Sequence, residues 1–323
     1  MQPLFLKPVF KEMIWGGRAL KELFNYDIPS DNTGECWAIS AHKNGDCMVA
    51  TKKGSDYSGK TLSELWKNNK ELWGESGKAE VFPLLTKLIS AETDLSIQVH
   101  PDDEYAKAHE NGSLGKTECW YVADAKEGAT IVIGHNAKDK EELEKYISEK
   151  NFKGLIREIP VKKGDFFFIE PGTVHAIKGG TVILETQQNS DITYRLYDYD
   201  RLQNGKPREL HINKCLDVIT CPFENREPVH REAKTYEDGS VERNLVVCSL
   251  FEVTYVKVEK SVKLAQDTDF TLASVLEGEG VLIGKDGKKY IIKKGEHFIL
   301  PNGFGEYELK GNMELITSGC ING

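Results

Sequence analysis

Apolar and polar side chains alternate along most of this chain, in short runs broken by Gly, Pro, Asp and Asn. Alternation with a period of two puts every second side chain on one face of a strand. The pattern predicts strands at 81–89 (VFPLLTKLI), 95–100 (LSIQVH), 118–123 (ECWYVA), 129–134 (ATIVIG), 166–170 (FFFIE), 181–186 (TVILET), 251–258 (FEVTYVKV), 271–276 (TLASVL) and 289–293 (KYIIK). Helical spacing is rarer. Segment 61–73 (TLSELWKNNKELW) repeats its apolar residues at about 3.6 residues per turn, with Ser58 or Thr61 as the cap. Segment 102–110 (DDEYAKAHE) reads as a short helix, and 138–149 (KDKEELEKYISE) as a charged surface helix. Many short strands and few helices predict a mainly β fold, a sandwich or a barrel.

One pattern occurs twice. Gly164-Asp165-Phe166-Phe167-Phe168-Ile169-Glu170-Pro171-Gly172-Thr173-Val174-His175 is echoed by Gly295-Glu296-His297-Phe298-Ile299-Leu300-Pro301-Asn302-Gly303-Phe304-Gly305-Glu306. Each copy is a turn, an apolar strand and a Pro/Gly turn, which suggests two copies of one β unit. The repeat resembles the cupin family, small jelly-roll barrels in which the histidine after the Pro-Gly turn is a metal ligand. The first copy has His175 there and the second has Glu306. The expected architecture is two cupin-like jelly-roll barrels with a few short helices. Residues 1–221 would form a catalytic cupin domain with helical insertions and the metal site. The polar, punctuated stretch 222–243 would be a linker, and 244–323 a second barrel without metal ligands.

Composition narrows the possible functions. The 323 residues suffice for two domains, and no apolar run approaches the roughly 18 to 20 residues of a membrane span. The start, Met1-Gln2-Pro3-Leu4-Phe5-Leu6-Lys7, lacks the parts of a signal peptide, so a cytoplasmic protein without a membrane partner is expected. Seven scattered cysteines with no Cys-x-x-Cys argue against a disulfide framework or an all-cysteine zinc site. A net charge of -9 argues against a nucleic-acid partner, so an anionic ligand would need a local basic cluster.

The candidate chemistry begins at Gln98-Val99-His100, where a strand ends at Pro101-Asp102-Asp103. Gln98 and His100 are two residues apart and project to the same side. Glu118 opens a strand, where acidic residues are disfavoured, and His175 follows the Pro-Gly turn. Singly, such residues are more often turn or surface positions. Together they offer two imidazoles, a carboxylate and an amide oxygen, a set that suits one Zn²⁺ per chain with a position open to substrate. A second cluster runs from Glu185 to Asp198. Asp191, Thr193 and Arg195 share one face, where Asp191 and Arg195 are either a structural ion pair or part of an anion site. Lys116 precedes Glu118 by two residues. Lys87 lies in an apolar run, so its ammonium either reaches solvent or points into a pocket.

With these residues in place the chain resembles the type I mannose-6-phosphate isomerase (phosphomannose isomerase) family, in its shorter bacterial form. The likeness runs over nearly the whole chain and is carried by Ser96-Ile97-Gln98-Val99-His100-Pro101-Asp102, Lys116-Thr117-Glu118, Pro171-Gly172-Thr173-Val174-His175-Ala176 and Asp191-Ile192-Thr193-Tyr194-Arg195. It implies that Gln98, His100, Glu118 and His175 hold zinc. It also implies that Arg195 acts in catalysis or phosphate binding and that Lys116 and Lys87 are active-site residues; Arg195 and Lys116 are expected to be catalytic, and Lys87 and Asp191 to bind substrate. The implied reaction interconverts mannose 6-phosphate and fructose 6-phosphate through a cis-enediol(ate). One position departs from the family: longer members have His-Lys-Pro-Glu where this chain has Gly115-Lys116-Thr117-Glu118, so a histidine assigned to ring opening is missing. The rival readings are a cupin non-haem iron dioxygenase, using a two-His, one-carboxylate triad, and a non-enzymatic sugar-phosphate-binding cupin. A monomer or weak homo-oligomer is expected.

Overall fold

In the computed structural model of the chain, which describes residues 1–51 and 55–321, the strands gather into three large sheets and two small hairpins. A five-stranded sheet runs in the order Ile156–Pro160, Thr130–His135, His175–Ile177, Ile97–Val99, Tyr194–Tyr197. A six-stranded sheet runs Phe166–Ile169, Glu118–Ala125, Thr181–Gln188, Leu84–Ala91, Thr33–Ile39, Val9–Gly17. Together these two enclose the first barrel. Most of the ten-stranded sheet comes from residues beyond 233. All pairings described are antiparallel, and the mainly β expectation holds.

Alternation decides what each layer buries. In Ile97–Val99, Ile97 and Val99 pack outward with Val132, Ala176 and Leu196 under the helices Lys140–Ser148, Phe152–Leu155 and Ile212–Val218. Gln98 therefore faces the barrel interior. Burying Ile97 and Val99 contributes roughly 1.5–3 kcal/mol each. A slip of one residue would forfeit both and put an amide among aliphatic side chains, so the register of this short strand is secure.

The six-stranded sheet is covered on both faces. Leu84, Leu88, Tyr121, Val182 and Leu184 pack against Val253, Leu272 and Ile316 of the ten-stranded sheet. Ile89, Trp120, Val122 and Ile183 turn into the first barrel, against Ile131 and Ile177. Every residue of Leu84–Ala91 and of Thr181–Gln188 is consequently buried. A charged residue on such a strand has no route to bulk solvent, so it must find a partner or line a cavity.

The helices follow their caps. Thr61 starts Leu62–Asn68 with a reciprocal capping box to Glu64, and Asp102 caps Asp103–His109 through the Tyr105 amide. The charged helix Lys140–Ser148 is anchored by buried Leu143 and Ile147. The repeat also appears in space: Phe166–Ile169 and His297–Leu300 are corresponding strands, after which His175 is buried and Glu306 exposed.

Two boundaries differ from expectation. Leu4–Lys7, read as part of the first unit, joins the ten-stranded sheet between His297–Leu300 and Met48–Val49, where Leu4, Phe5 and Leu6 are buried. The stretch read as linker enters that same sheet as Lys234–Thr235 and the start of Val241–Val247. Both segments gain backbone partners that local polarity does not reveal. Among the described residues no helix is long and apolar enough to cross a membrane.

Candidate active site

The inward positions of both sheets converge on one buried cluster. Gln98, His100 and His175 come from the five-stranded sheet and its edge, and Glu118 from the six-stranded sheet. Gln98 lies directly opposite His175 on one side and Arg195 on the other. His100 Nε2 and His175 Nε2 are 3.1 Å apart, and each is 3.4 Å from a Glu118 carboxylate oxygen. Gln98 Nε2 lies 3.3 Å from His175 Nε2. Among the described residues, His100, Glu118 and His175 form the group whose donor atoms could hold a metal ion.

The donor set fits a zinc ion on geometry and on protonation. A tetrahedral ion bound at 2.0–2.1 Å has ligand atoms about 3.3–3.4 Å apart; here the two imidazole nitrogens are 3.1 Å apart, and each is 3.4 Å from one of the two Glu118 oxygens. The His175 Nδ1–H donates to the Thr173 carbonyl at 2.9 Å, which leaves the Nε2 lone pair pointing inward. Burial pushes the His100 imidazole down to about 3, with the Lys116 ammonium adding to the effect. Burial likewise lowers His175. Both rings are neutral, as ligands must be. Glu118 is pulled both ways: burial opposes ionisation, but the Lys116 ammonium leads the groups that oppose it, and the carboxyl is held well below its ordinary value.

Charged groups beside the donors are paired in sequence. Lys116 Nζ sits 2.8 Å from Glu118 Oε2 and 3.1 Å from His100 Nε2. Burial disfavours its charge, but Glu118 and then Glu185 prevail and raise it above the ordinary lysine value. Glu185 lies 4.0 Å from Lys116 and 3.5 Å from Lys87, and accepts a hydrogen bond from Trp120 Nε1 at 3.1 Å. Burial, then the Glu118 charge, raises Glu185. Lys87 is thus of the inward-pointing kind, 5.1 Å from the Trp37 ring centroid.

Above this floor opens a cleft of about 280 Å³, lined by Trp15, Glu35, Trp37, Lys87, Gln98, Lys116, Glu185, Asp191, Arg195 and Arg208 among others. All eight residues singled out in the sequence lie at this one site, either lining the cleft or in the donor cluster beneath it. The Asp191–Arg195 ion pair does not form. Asp191 instead pairs with His42, 3.6 Å away, and accepts a hydrogen bond from Asn44 Nδ2, while Arg195 Nη1 donates to the Glu209 carbonyl at 2.9 Å. Glu185, Trp37, Glu35 and Arg208 were not singled out. Glu185 carried a readable signal, an acidic residue in a strand as apolar as that of Glu118. Arg208 carried none, because the chain around it is irregular.

Gly115 explains the departure from the longer relatives. A Cβ there would lie 2.4 Å from the Asp102 carbonyl carbon and 2.5 Å from the Asp103 nitrogen. The Gly115 N–H donates to Asp103 Oδ1 at 2.7 Å, and Lys116 N donates to the Pro101 carbonyl at 2.9 Å. This close packing aims Lys116 into the site and excludes a histidine at position 115.

The fold and site define a cupin-type barrel with a buried candidate metal centre under a charged cleft. Residues 4–134 match the family model for the phosphomannose isomerase type I catalytic domain, and residues 241–320 the mannose-6-phosphate isomerase cupin domain. The chain is 51% identical over 319 residues to mannose-6-phosphate isomerase ManA of Bacillus subtilis, covering 98% of both chains. It is 46% identical over 320 residues to mannose-6-phosphate isomerase of Streptococcus mutans, again covering 98% of both. The crystal structure of mannose 6-phosphate isomerase from Bacillus subtilis superposes with a TM-score of 0.93 at 47% identity, over 98% of this chain and 99% of that one. This chain belongs to the type I phosphomannose isomerase family.

Proposed function

We propose that this protein interconverts mannose 6-phosphate and fructose 6-phosphate, with Gln98, His100, Glu118 and His175 holding one Zn²⁺ and the cleft above them holding the sugar phosphate. Family membership supports the reaction. The observation that carries the site is the convergence of four spaced donors with Lys116, Glu185 and Arg195 around one cleft. Half a turn of the Gln98 amide presents its oxygen where the nitrogen now stands, so the fourth donor is an amide carbonyl.

The reaction moves one proton between neighbouring carbons. In the open-chain aldose, the C2–H proton leaves and its electron pair forms the C1=C2 bond of the enediolate. A proton then adds to C1, while the hydroxyl proton of O2 passes to O1. Zinc bound at these donors supplies Lewis-acid stabilisation of the oxygens that become negative. Lys116 stays charged beside Glu118, so it contributes positive charge and a hydrogen-bond donor. Glu185 faces the cleft between two lysines, and its Oε1 is buried with no hydrogen-bond partner. We assign it the carbon-bound proton. Lys87 balances the charge of Glu185 and, with Asp191, bounds the sugar. Arg195 takes the phosphate, whose binding fixes the reacting carbons over the floor.

A dioxygenase for apolar substrates has no use for this charge pattern around a donor set, and turnover separates the isomerase from a non-enzymatic sugar-phosphate-binding cupin. A coupled assay for fructose 6-phosphate from mannose 6-phosphate, on zinc-verified protein, decides the matter. Robust turnover is expected in the wild type, and Arg195→Ala is expected to lose at least about 100-fold in kcat/KM. Near-normal turnover by zinc-loaded Arg195→Ala removes that residue from the assignment.

A further inference from the structure

Arg208 follows the hairpin of Leu202–Gln203 and Lys206–Pro207 and lines the same cleft as Arg195. Its side chain is 13% exposed. Asp198, only 4% exposed, grips one edge of it: Arg208 Nε donates to Oδ2 at 2.7 Å and Nη2 donates to Oδ1. Arg201 donates to the same Oδ1 from Nη2 at 2.6 Å and turns its Nη1 to the Asp94 carbonyl. Arg195 stands close enough that Arg208 is, after burial, the strongest influence lowering its guanidinium.

Two guanidiniums, Arg201 and Arg208, thus pair with one buried carboxylate, and Arg195 stands beside them with no carboxylate bonded to it. The nearby Glu209 carboxylate is 82% exposed and screened by water. Arginine does not relieve such crowding by losing its proton. Unused donors face the same problem. Among the described residues, Arg195 Nε is buried without a hydrogen-bond partner and Arg208 Nη1 makes no hydrogen bond. A dianion supplies both the missing charge and the missing acceptors, and a phosphate monoester carries about two negative charges at neutral pH.

We propose that Arg208 is a second phosphate-binding guanidinium acting with Arg195, and that Asp198 is the positioning residue that aims it. This rests on the reading above that the substrate is a sugar phosphate. Lysine replaces arginine only in part here, because the three donors of an ammonium sit on one nitrogen and cannot grip both Asp198 oxygens on one edge while reaching an anion on the other.

The test uses the full chain loaded with zinc, with inorganic phosphate as the probe in titration calorimetry and mannose 6-phosphate in steady-state kinetics. Arg208→Ala is expected to weaken phosphate binding about 10- to 100-fold and to raise KM by a similar factor, with kcat far less affected. Arg208→Lys is expected to recover only part of the loss. Asp198→Asn is expected to lower melting and, in the folded protein, to weaken phosphate binding although Arg208 is present; loss of a negative charge by itself would strengthen anion binding, so the weakening marks lost positioning. Folded Arg208→Ala that binds phosphate as the wild type does overturns the proposal. If that variant does not fold, Arg208→Lys with full phosphate affinity overturns it instead. Loss of phosphate binding in Arg208→Ala, with no isomerisation even in the wild type, would uphold the arginine pair and refute the substrate reading.

Discussion

Gln98 faces His175 across two antiparallel strands, and their side-chain nitrogen atoms meet 3.3 Å apart. That pairing brings a neutral amide into a cluster otherwise made of two imidazoles and a carboxylate. An amide oxygen adds no negative charge, so an ion held with Gln98 as a ligand would keep more of its own for polarising substrate oxygens. Gln98→Ala is expected to lower zinc affinity about 10- to 100-fold, a scale typical of lost support at metal sites. Competition against a chelator of known affinity measures it. Unchanged affinity would remove Gln98 from the ligand set.

Glu185 is the buried carboxylate shared by Lys87 and Lys116. Glu185→Gln keeps an acceptor for Trp120 Nε1 and deletes the charge. Breaking a buried pair by removing one partner costs about 3–5 kcal/mol, because the other charge is left uncompensated. Chemical denaturation of the zinc-loaded variant is expected to show a loss of this order, alongside collapse of turnover. A variant as stable as the wild type would mean that Lys87 finds another partner.

Gly115 is needed for space. Gly115→Ala places a Cβ against the Asp102–Asp103 backbone, and such overpacking costs about 1–3 kcal/mol. Because this stretch also sets Lys116, the variant is expected to lose kcat together with stability. Gly115→His is expected to fail to restore the motif of the longer relatives. A stable, faster Gly115→His enzyme would show that the Asp102 turn yields.

His297 ties the N-terminal segment to the second barrel. Its Nδ1 accepts from Ser274 Oγ at 2.8 Å, its Nε2–H donates to Tyr26 Oη at 2.7 Å, and the Tyr26 hydroxyl donates to the Gly295 carbonyl at 2.8 Å. Burial pushes His297 from 6.5 down to about 3. The folded pKa is depressed, so the unfolded chain binds the extra proton. The stability from neutral His297 is full above pH 6.5 and is lost as pH falls toward 3, by up to about 1.4 kcal/mol per pH unit. His297→Asn is expected to be less stable at pH 7 but to lose less between pH 6.5 and 4. Parallel slopes in urea melts of variant and wild type would exclude His297 as a source of acid sensitivity.

Much of this was readable residue by residue. Period-two alternation located the strands that carry Glu118 and Lys87, and Ile97 and Val99 already implied that Gln98 pointed the other way, whereas the three-residue strand His175–Ile177 is too short to show an alternation and reads only as the end of a Pro-Gly turn. Thr61, one of two candidate caps, starts its helix, and the short helix expected over 102–110 forms over Asp103–His109 with Asp102 as its cap. The sequence failed where partners are distant or where no period exists. Asp191 and Arg195, four residues apart on one face, suggested each other, yet a hairpin from residues 41–46 brings His42 and Asn44 to Asp191 instead.

The sequence by itself determined the mainly β fold, the repeated strand-turn unit and the donor types, because alternation, turn residues and ligand chemistry are local properties. Only the tertiary structure decided that Leu4–Lys7 joins the ten-stranded sheet. It alone decided that Lys87 points inward to Glu185, that position 115 has no room for a side chain, and that Arg208 shares the cleft with Arg195. The physical reason is common to all four. Burial on both faces of a sheet removes water as a partner, so each polar group is satisfied by whatever residue long-range packing brings within reach, and a local pattern does not encode that residue.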